Sequence, residues 1–262
     1  DYQYTDEIIR NTTTGGTVYK DMNGKKYAEN ISQLALANVD FDMQNRHHIS
    51  YNLMMIHANT QSVGDYNGKN SIFSDDYENL GFTRRQQTND NMLIVNQLMT
   101  NWGLTKSLSL DAGASYNMVK GYEPDRRINN LTKAEDGYTL LRGNSQQRYF
   151  STLDEDDLNV KAGLVYRLKD NIDEISNIRF GYTGRFVDDN FKATEYNLTV
   201  GHVSTIPSLD DFSLDDYYNQ ENFASDWFKI QKNLDEYTVK KNIHSAYAEA
   251  TYQFTPRWIV NL

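Results

Sequence analysis

"SLSLDAGASYNMVKGYEPDRRINN" (residues 107–130) is the stretch whose reading decides the fold. Leu108, Leu110, Ala112, Ala114, Tyr116 and Met118 fall on one side of an extended chain. Ser107, Ser109, Asp111, Gly113, Ser115 and Asn117 fall on the other. Successive side chains of a strand point to opposite faces, so this period of two predicts a strand with one apolar and one wet face. The alternation breaks off at Glu123-Pro124-Asp125-Arg126-Arg127, a charged run that belongs in water, and the strand is expected to stop there.

The same pattern recurs on either side. Residues 30–41 put Ile31, Ala35, Ala37, Val39 and Phe41 together, and residues 47–58 do so with Ile49, Tyr51, Leu53 and Met55. Residues 91–102 are less clean, because Asn96 and Thr100 share a face with Met92, Ile94, Leu98 and Trp102. Residues 158–168 alternate most regularly, 178–187 and 245–254 repeat the pattern, and a further strand is expected over 14–21. No segment longer than a turn or two carries a helical period.

The connections between these runs alternate in length. Residues 42–46, 104–107, 169–176 and 255–257 are short links, while 59–90, 121–154 and 193–240 are long. One end of the sheet should therefore carry tight turns and the other large loops, the arrangement of outer-membrane barrels. A soluble antiparallel sandwich also gives half-buried alternating strands. Loops beyond about 12–15 residues are uncommon in compact domains, however, and three are expected here. Phe41, Trp102, Phe254 and Trp258 cluster at the short-turn end, where an interfacial aromatic girdle would lie.

Composition narrows the function. Of 262 residues only 39% are hydrophobic, yet 19 are Tyr and 11 Phe, which excludes a disordered chain. The net charge of −10 disfavours nucleic acid, whose binding needs concentrated Lys and Arg. There is no cysteine, hence no disulfide framework and no thiolate chemistry. No apolar run is long enough for a membrane helix, but a barrel strand needs only about ten alternating residues. The chain starts without Met and ends as a new alternation begins at Trp258, Val260 and Leu262, so a piece of a longer protein is expected.

No catalytic constellation emerges, and enzymatic activity is not expected. His47 and His48 are neighbours on a strand and point apart; His57, His202 and His244 are scattered; no G-x-S-x-G elbow exists. No cofactor is expected. The acidic groups Asp154–Asp157, Asp210-Asp211 and Asp215-Asp216 leave Ca²⁺ binding as an alternative to solvated loops. Residues 193–240 combine nine acidic and three basic residues with eight aromatics, among them Tyr217, Tyr218, Trp227 and Phe228. Such a loop suits sugar or peptide capture by ring stacking, or packing on itself or on a partner lid.

"GASYNMVKGYEPDRRINN" (113–130) and "AYAEATYQFTPRWIVNL" (246–262) resemble the barrel of TonB-dependent outer-membrane receptors of Bacteroidetes-type bacteria. In that family a strand rich in small residues runs into an E-P-D-R-R segment, and a later strand of the form Y-x-F-x-x-R-W-x-x-x-x-L follows a short turn. The resemblance implies a barrel of about twenty-two strands around an N-terminal plug, which lies outside this chain, as do the terminal strands. It implies import driven by an inner-membrane energy-coupling complex, and localisation in the bacterial outer membrane.

The whole chain, 1–262, is thus expected to be all-β: a segment of an antiparallel transmembrane β-barrel with short periplasmic turns and long extracellular loops. The expected function is uptake of a nutrient such as an oligosaccharide, peptide or metal chelate. Asp111, Lys161, Arg167, Arg179, Arg185 and Glu249 are the candidate lumen lining, and Tyr217, Tyr218, Trp227 and Phe228 the candidate loop contacts. Outer-membrane lipid and a surface lipoprotein are the expected partners. The alternatives are a barrel that serves as a docking frame for surface lipoproteins, and a soluble adhesin-like β domain. A charge at Ala112 is expected to harm membrane assembly more than one at Gly113.

Overall fold

A computed structural model describes residues 2–16, 18–43, 46–70, 81–134, 137–140, 143–168, 176–201, 205–206, 218–255 and 257–262. Seven long strands form its frame: β2 (Val18–Met43), β3 (His47–Asn70), β4 (Gly81–Gly103), β5 (Leu108–Ala134), β7 (Gly143–Arg167), β8 (Asn177–Val200) and β10 (Phe228–Thr255). They pair antiparallel in chain order, with β1 (Tyr2–Thr12) at one edge and β11 (Trp258–Asn261) at the other. Two short strands, β6 (Gly137–Leu140) and β9 (Thr205–Ile206), pair off this path, β6 on β5 and β9 on β6. No pairing joins β1 to β11 among the described residues, so the sheet is open. One short helix, α1 (Gln220–Ala224), precedes β10, with Asn219 as its N-cap.

The strands are far longer than the sequence pattern indicated. Seven of them run 23 to 28 residues, against about 3–10 in ordinary domains. Much of each expected long loop is strand: β5 continues to Ala134 and β7 begins at Gly143, where a connection over 121–154 was expected. Likewise β8 runs to Val200 and β10 starts at Phe228, inside the expected 193–240 loop. At the N-terminus β1 covers 2–12, and the strand expected over 14–21 is instead the turn after it and the start of β2. Polar residues interrupt both sides of these stretches, so no sustained hydrophobic period marked them as strand.

Nor does β5 stop at the charged run. The register slips by one residue there: Glu123 faces Ser151 and Arg126 faces Tyr149 on β7, leaving Pro124 and Asp125 opposite Phe150 alone. Proline cannot donate to a ladder and is tolerated at bulges. The bulge is held by its own charges. Asp125 accepts from Arg127 Nε (2.6 Å) and from Arg148 Nη2 (2.7 Å), while Arg126 lies 4.1 Å over the Tyr149 ring.

Register brings all the apolar runs onto one face. Val39 pairs with Tyr51, Tyr51 with Leu98, Leu98 with Ala114, Ala114 with Val160, and Val160 with Gly184. One row nearer the short turns, Phe41, Ile49, Thr100, Ala112, Ala162, Tyr182 and Ala246 line up in the same way. The belt descends across the sheet. The midpoint of its β2 run, 31–41, lies level with Asn117 of β5, whereas its centre on β10, Ala250, is level with Leu108. Nine residues over six strand steps is about 5 Å along the strand for each strand spacing of about 4.8 Å, a slope of about 45°.

Almost nothing covers this belt. Val39 is 64%, Phe180 59% and Trp258 72% exposed. Buried apolar side chains gather instead toward the long-loop end, as the Phe82, Leu131, Leu140 and Val200 cluster and the Met22–Tyr66 pair. The accessible surface, 17015 Å², exceeds the about 12,000 Å² expected for a compact monomer of this mass.

Candidate functional site

The opposite face holds the candidate polar lining, because odd-numbered positions of β5, β7, β8 and β10 share that side near the belt. Asp111, Lys161, Arg167, Arg179, Arg185 and Glu249 all project from it. The structure brings four of them into two pairs: Lys161 Nζ lies 3.7 Å from Asp111, and Arg179 3.9 Å from Glu249. Arg185 instead grips Asp157, donating from Nη2 at 2.9 Å and from Nε at 3.2 Å. Arg167 stands at the short-turn end, beside a cavity of about 490 Å³ that His48 and Lys106 also line. Half-exposed pairs such as these add little stability, but they fix the direction of each charge across the face.

Glycines on this face make room for large side chains from neighbouring strands. The Tyr247 ring lies over Gly181 and reaches Gly163, where a Cβ would collide with it. Lys161 covers Gly113 in the same manner, so Gly113 is an encumbered position rather than an open one. The face is not polar throughout. Leu34 (64% exposed) and Leu36 (68%) project from β2 on this side, beside Ile56 and Met54 of β3.

The aromatic candidates lie elsewhere. Phe228 opens β10 and is 3% exposed, wedged between Tyr218 (centroids 5.0 Å) and Phe223 of α1 (5.7 Å). Trp227 is half-buried and closes the turn, its carbonyl accepting from Gly201 N (2.8 Å). Tyr217 falls outside the described residues. With Phe150 and Tyr196, in edge contact at 5.9 Å, Tyr218, Phe223 and Phe228 line a groove of about 430 Å³. The unbroken register of β8 and β10 puts this groove on the same face as the apolar belt, ten residues beyond Phe186 and about 33 Å along the strand. The described part of the loop thus packs on the strand wall. The distance and face could not be read from the sequence, because they depend on β8 continuing to Val200.

The acidic run Asp154–Asp157 lies within β7, so alternation sends Asp154 and Asp156 to one face and Glu155 and Asp157 to the other. Asp154 sits 3.7 Å from Lys120, Asp156 accepts from Tyr116 (2.6 Å), and Asp157 is held by Arg185. Among the described residues no three metal-ligating groups converge; Asp210, Asp211, Asp215 and Asp216 lie outside them. His47 stacks on Trp102 at 4.2 Å while His48 bonds Asp42 on the opposite face (2.8 Å).

Comparison of the chain with protein-family models, with curated proteins and with solved structures finds no match.

Proposed function

We propose that this chain is a wall segment of a large outer-membrane β-barrel of the TonB-dependent receptor type, taking part in the uptake of a nutrient. The observation that carries the reading is the continuous exposed apolar belt on one face of seven long strands. Eleven alternating residues, such as 31–41, span about 36 Å along a strand. At the slope of the belt that is a height of about 25 Å, matching the apolar band of such barrels. The strand slope of about 45° falls close to the tilt a closed barrel requires. The opposite face, with its paired charges, would then line a watery lumen. Cargo would be an oligosaccharide, peptide or metal chelate, and the inner-membrane energy-coupling complex would act through parts of the receptor beyond these residues.

One observation favours a second role beside transport. The aromatic groove of Phe150, Tyr196, Phe223 and Phe228 shares the face of the apolar belt, and so would open outside the barrel. A groove there suits docking of a surface lipoprotein better than capture of cargo.

The test compares two adjacent positions near mid-belt in the full receptor. Ala114→Arg places a charge on the apolar face, Ser115→Arg on the polar face. Membrane insertion is read by detergent extraction and by the mobility shift between unheated and heated samples in a denaturing gel. The expected result is loss of the heat-modifiable form in Ala114→Arg only. Equal tolerance at both positions, or a detergent-free soluble monomer, overturns the reading.

A further inference from the structure

On the polar face near the long-loop end, β1 to β5 enclose a cavity of about 300 Å³. Lys20, Lys26 and Arg85 all border it, and Glu7 is the one carboxylate among its described lining residues. The register accounts for the convergence: Glu7 faces Gly24 of β2, Tyr66 of β3 also faces Gly24, Thr83 of β4 faces Tyr66, and Arg85 faces Gly64. Gly24 and Gly64 give the Tyr66 ring its place, because a Cβ at either would strike that ring.

Glu7 is already engaged. It accepts from the Tyr66 hydroxyl at 2.5 Å and lies 3.7 Å from Lys26. Arg85 donates to Gln87 Oε1 (2.8 Å), a neutral group, and neither it nor Lys20 has an acidic partner within ion-pair reach among the described residues. On the other face of the same strands Arg10 meets Asp21 at 2.7 Å and Arg84 meets Asp65 at 2.7 Å, while Lys25 lies over the Tyr4 ring. A chain with a net charge of −10 has carboxylates in plenty, yet two cations face this cavity unmatched. Burial, and to a lesser degree the neighbouring Arg85, lower the Lys20 ammonium below its ordinary range.

We infer that the cavity between Lys20, Lys26 and Arg85 is a binding site for an oxyanion group, carboxylate, sulfate or phosphate, borne by a small solute. The guanidinium supplies a planar fork for two oxygens and the two ammonium groups supply point charges. The volume admits one such group with a short substituent. On the proposed transport reading, with which this inference shares its assignment of the polar face to the lumen, the solute is an anionic cargo met near the mouth.

The test is calorimetric titration of the full receptor in detergent with sodium sulfate and with sodium phosphate, at constant ionic strength held with chloride. Lys20→Gln and Arg85→Gln are each expected to weaken binding at least about tenfold, the worth of one charge-assisted bond, and the double variant to abolish it. Lys25→Gln, one residue from Lys26 but on the opposite face, should leave it unchanged. Binding that survives the double variant, binding weakened equally by Lys25→Gln, or no binding to the unmodified receptor overturns the site. Heat-modifiability is scored on every sample. A receptor that loses this shift but binds sulfate refutes the barrel, whereas one that keeps it without binding sulfate refutes only the site.

Discussion

The two halves of β8 place apolar side chains by opposite rules. In residues 178–186, Phe180 is 59% exposed and Tyr182 39%. In residues 187–200, Leu198 is 5% exposed and Val200 2%, the latter packed with Phe82, Leu131 and Leu140 of other strands. One continuous ladder joins the halves, so backbone geometry does not separate them. On the proposed reading, what differs is the medium. Burying a large apolar side chain from water is worth about 1.5–3 kcal/mol, and a water-soluble strand would not forgo that repeatedly on a single face. The distal half of β8 hides its apolar groups as soluble domains do, although Ile230 and Leu234 of β10 beside it stay exposed. The proximal half displays them in a tilted band, as the proposed lipid contact demands.

The largest expected effect breaks that comparison at mid-belt. Ala114→Arg should cost about 2–4 kcal/mol of membrane stability, while Ser115→Arg next to it should cost little. Gly113 is the poorer control, because any Cβ there meets Lys161 and the carbonyl of Leu98. A charge placed in the distal half, at Thr194 of β8 for example, should be tolerated in insertion assays. If Thr194→Arg blocks insertion as Ala114→Arg does, the two halves are not in different media.

Next in size is a packing change on the polar face. Gly181→Val drives a branched Cβ into the Tyr247 ring and should cost about 1–3 kcal/mol, read as a lower unfolding temperature of the detergent-solubilised protein. Adding Tyr247→Ala should recover most of the loss, because the two residues share one space. Failure of the double variant to recover would mean that the backbone at Gly181, not the ring above it, sets the requirement.

How much of this was legible follows the same division. The proximal half was readable because one face is apolar: 158–168 and 178–187 announce both their strands and the side each residue takes, so Lys161, Arg179, Arg185 and Glu249 could be placed together. The distal half was not, because Thr152 to Asp157 and Asp188 to Lys192 each hold a single large apolar residue, Leu153 and Phe191, and carry no period. The charged run 123–127 looked like a strand end, yet it is a bulge that β5 passes through. The cavity of Glu7, Lys20, Lys26 and Arg85 was invisible for another reason. Its residues come from three strands and nearly eighty positions, and only register unites them.

That bulge offers a smaller test, through pH. Burial opposes ionisation of Asp125, but bonds from Arg148 and Arg127 outweigh it and hold the carboxyl below the ordinary Asp range. A depressed value stabilises the folded state above the unfolded value near 4, and that contribution vanishes as pH falls through the lower folded value. Amide exchange around residues 123–127 should therefore quicken below about pH 4, while the belt half of β5 stays protected. Asp125→Asn should remove this acid sensitivity. The effect is expected below about 1 kcal/mol, since the arginines are partly exposed.

An effect of comparable size belongs to Tyr66, and it separates the distal half from ordinary surface at the opposite extreme of pH. Burial, reinforced by the bond to Glu7, pushes its phenol up to about 12. The folded state thus holds a proton that the unfolded chain releases near 10, so stability is complete below about pH 10 and declines as pH rises toward about 12. At neutral pH the phenol is protonated in both states, and Tyr66→Phe should cost only the bond to Glu7, about 1 kcal/mol. Ultraviolet titration of tyrosinate should show a late-titrating component that disappears in Tyr66→Phe. If Tyr66→Phe leaves the tyrosinate titration of the folded protein unchanged, Tyr66 is wet, Glu7 is free to neutralise Lys20 or Arg85, and the distal half is no drier than the surface around it.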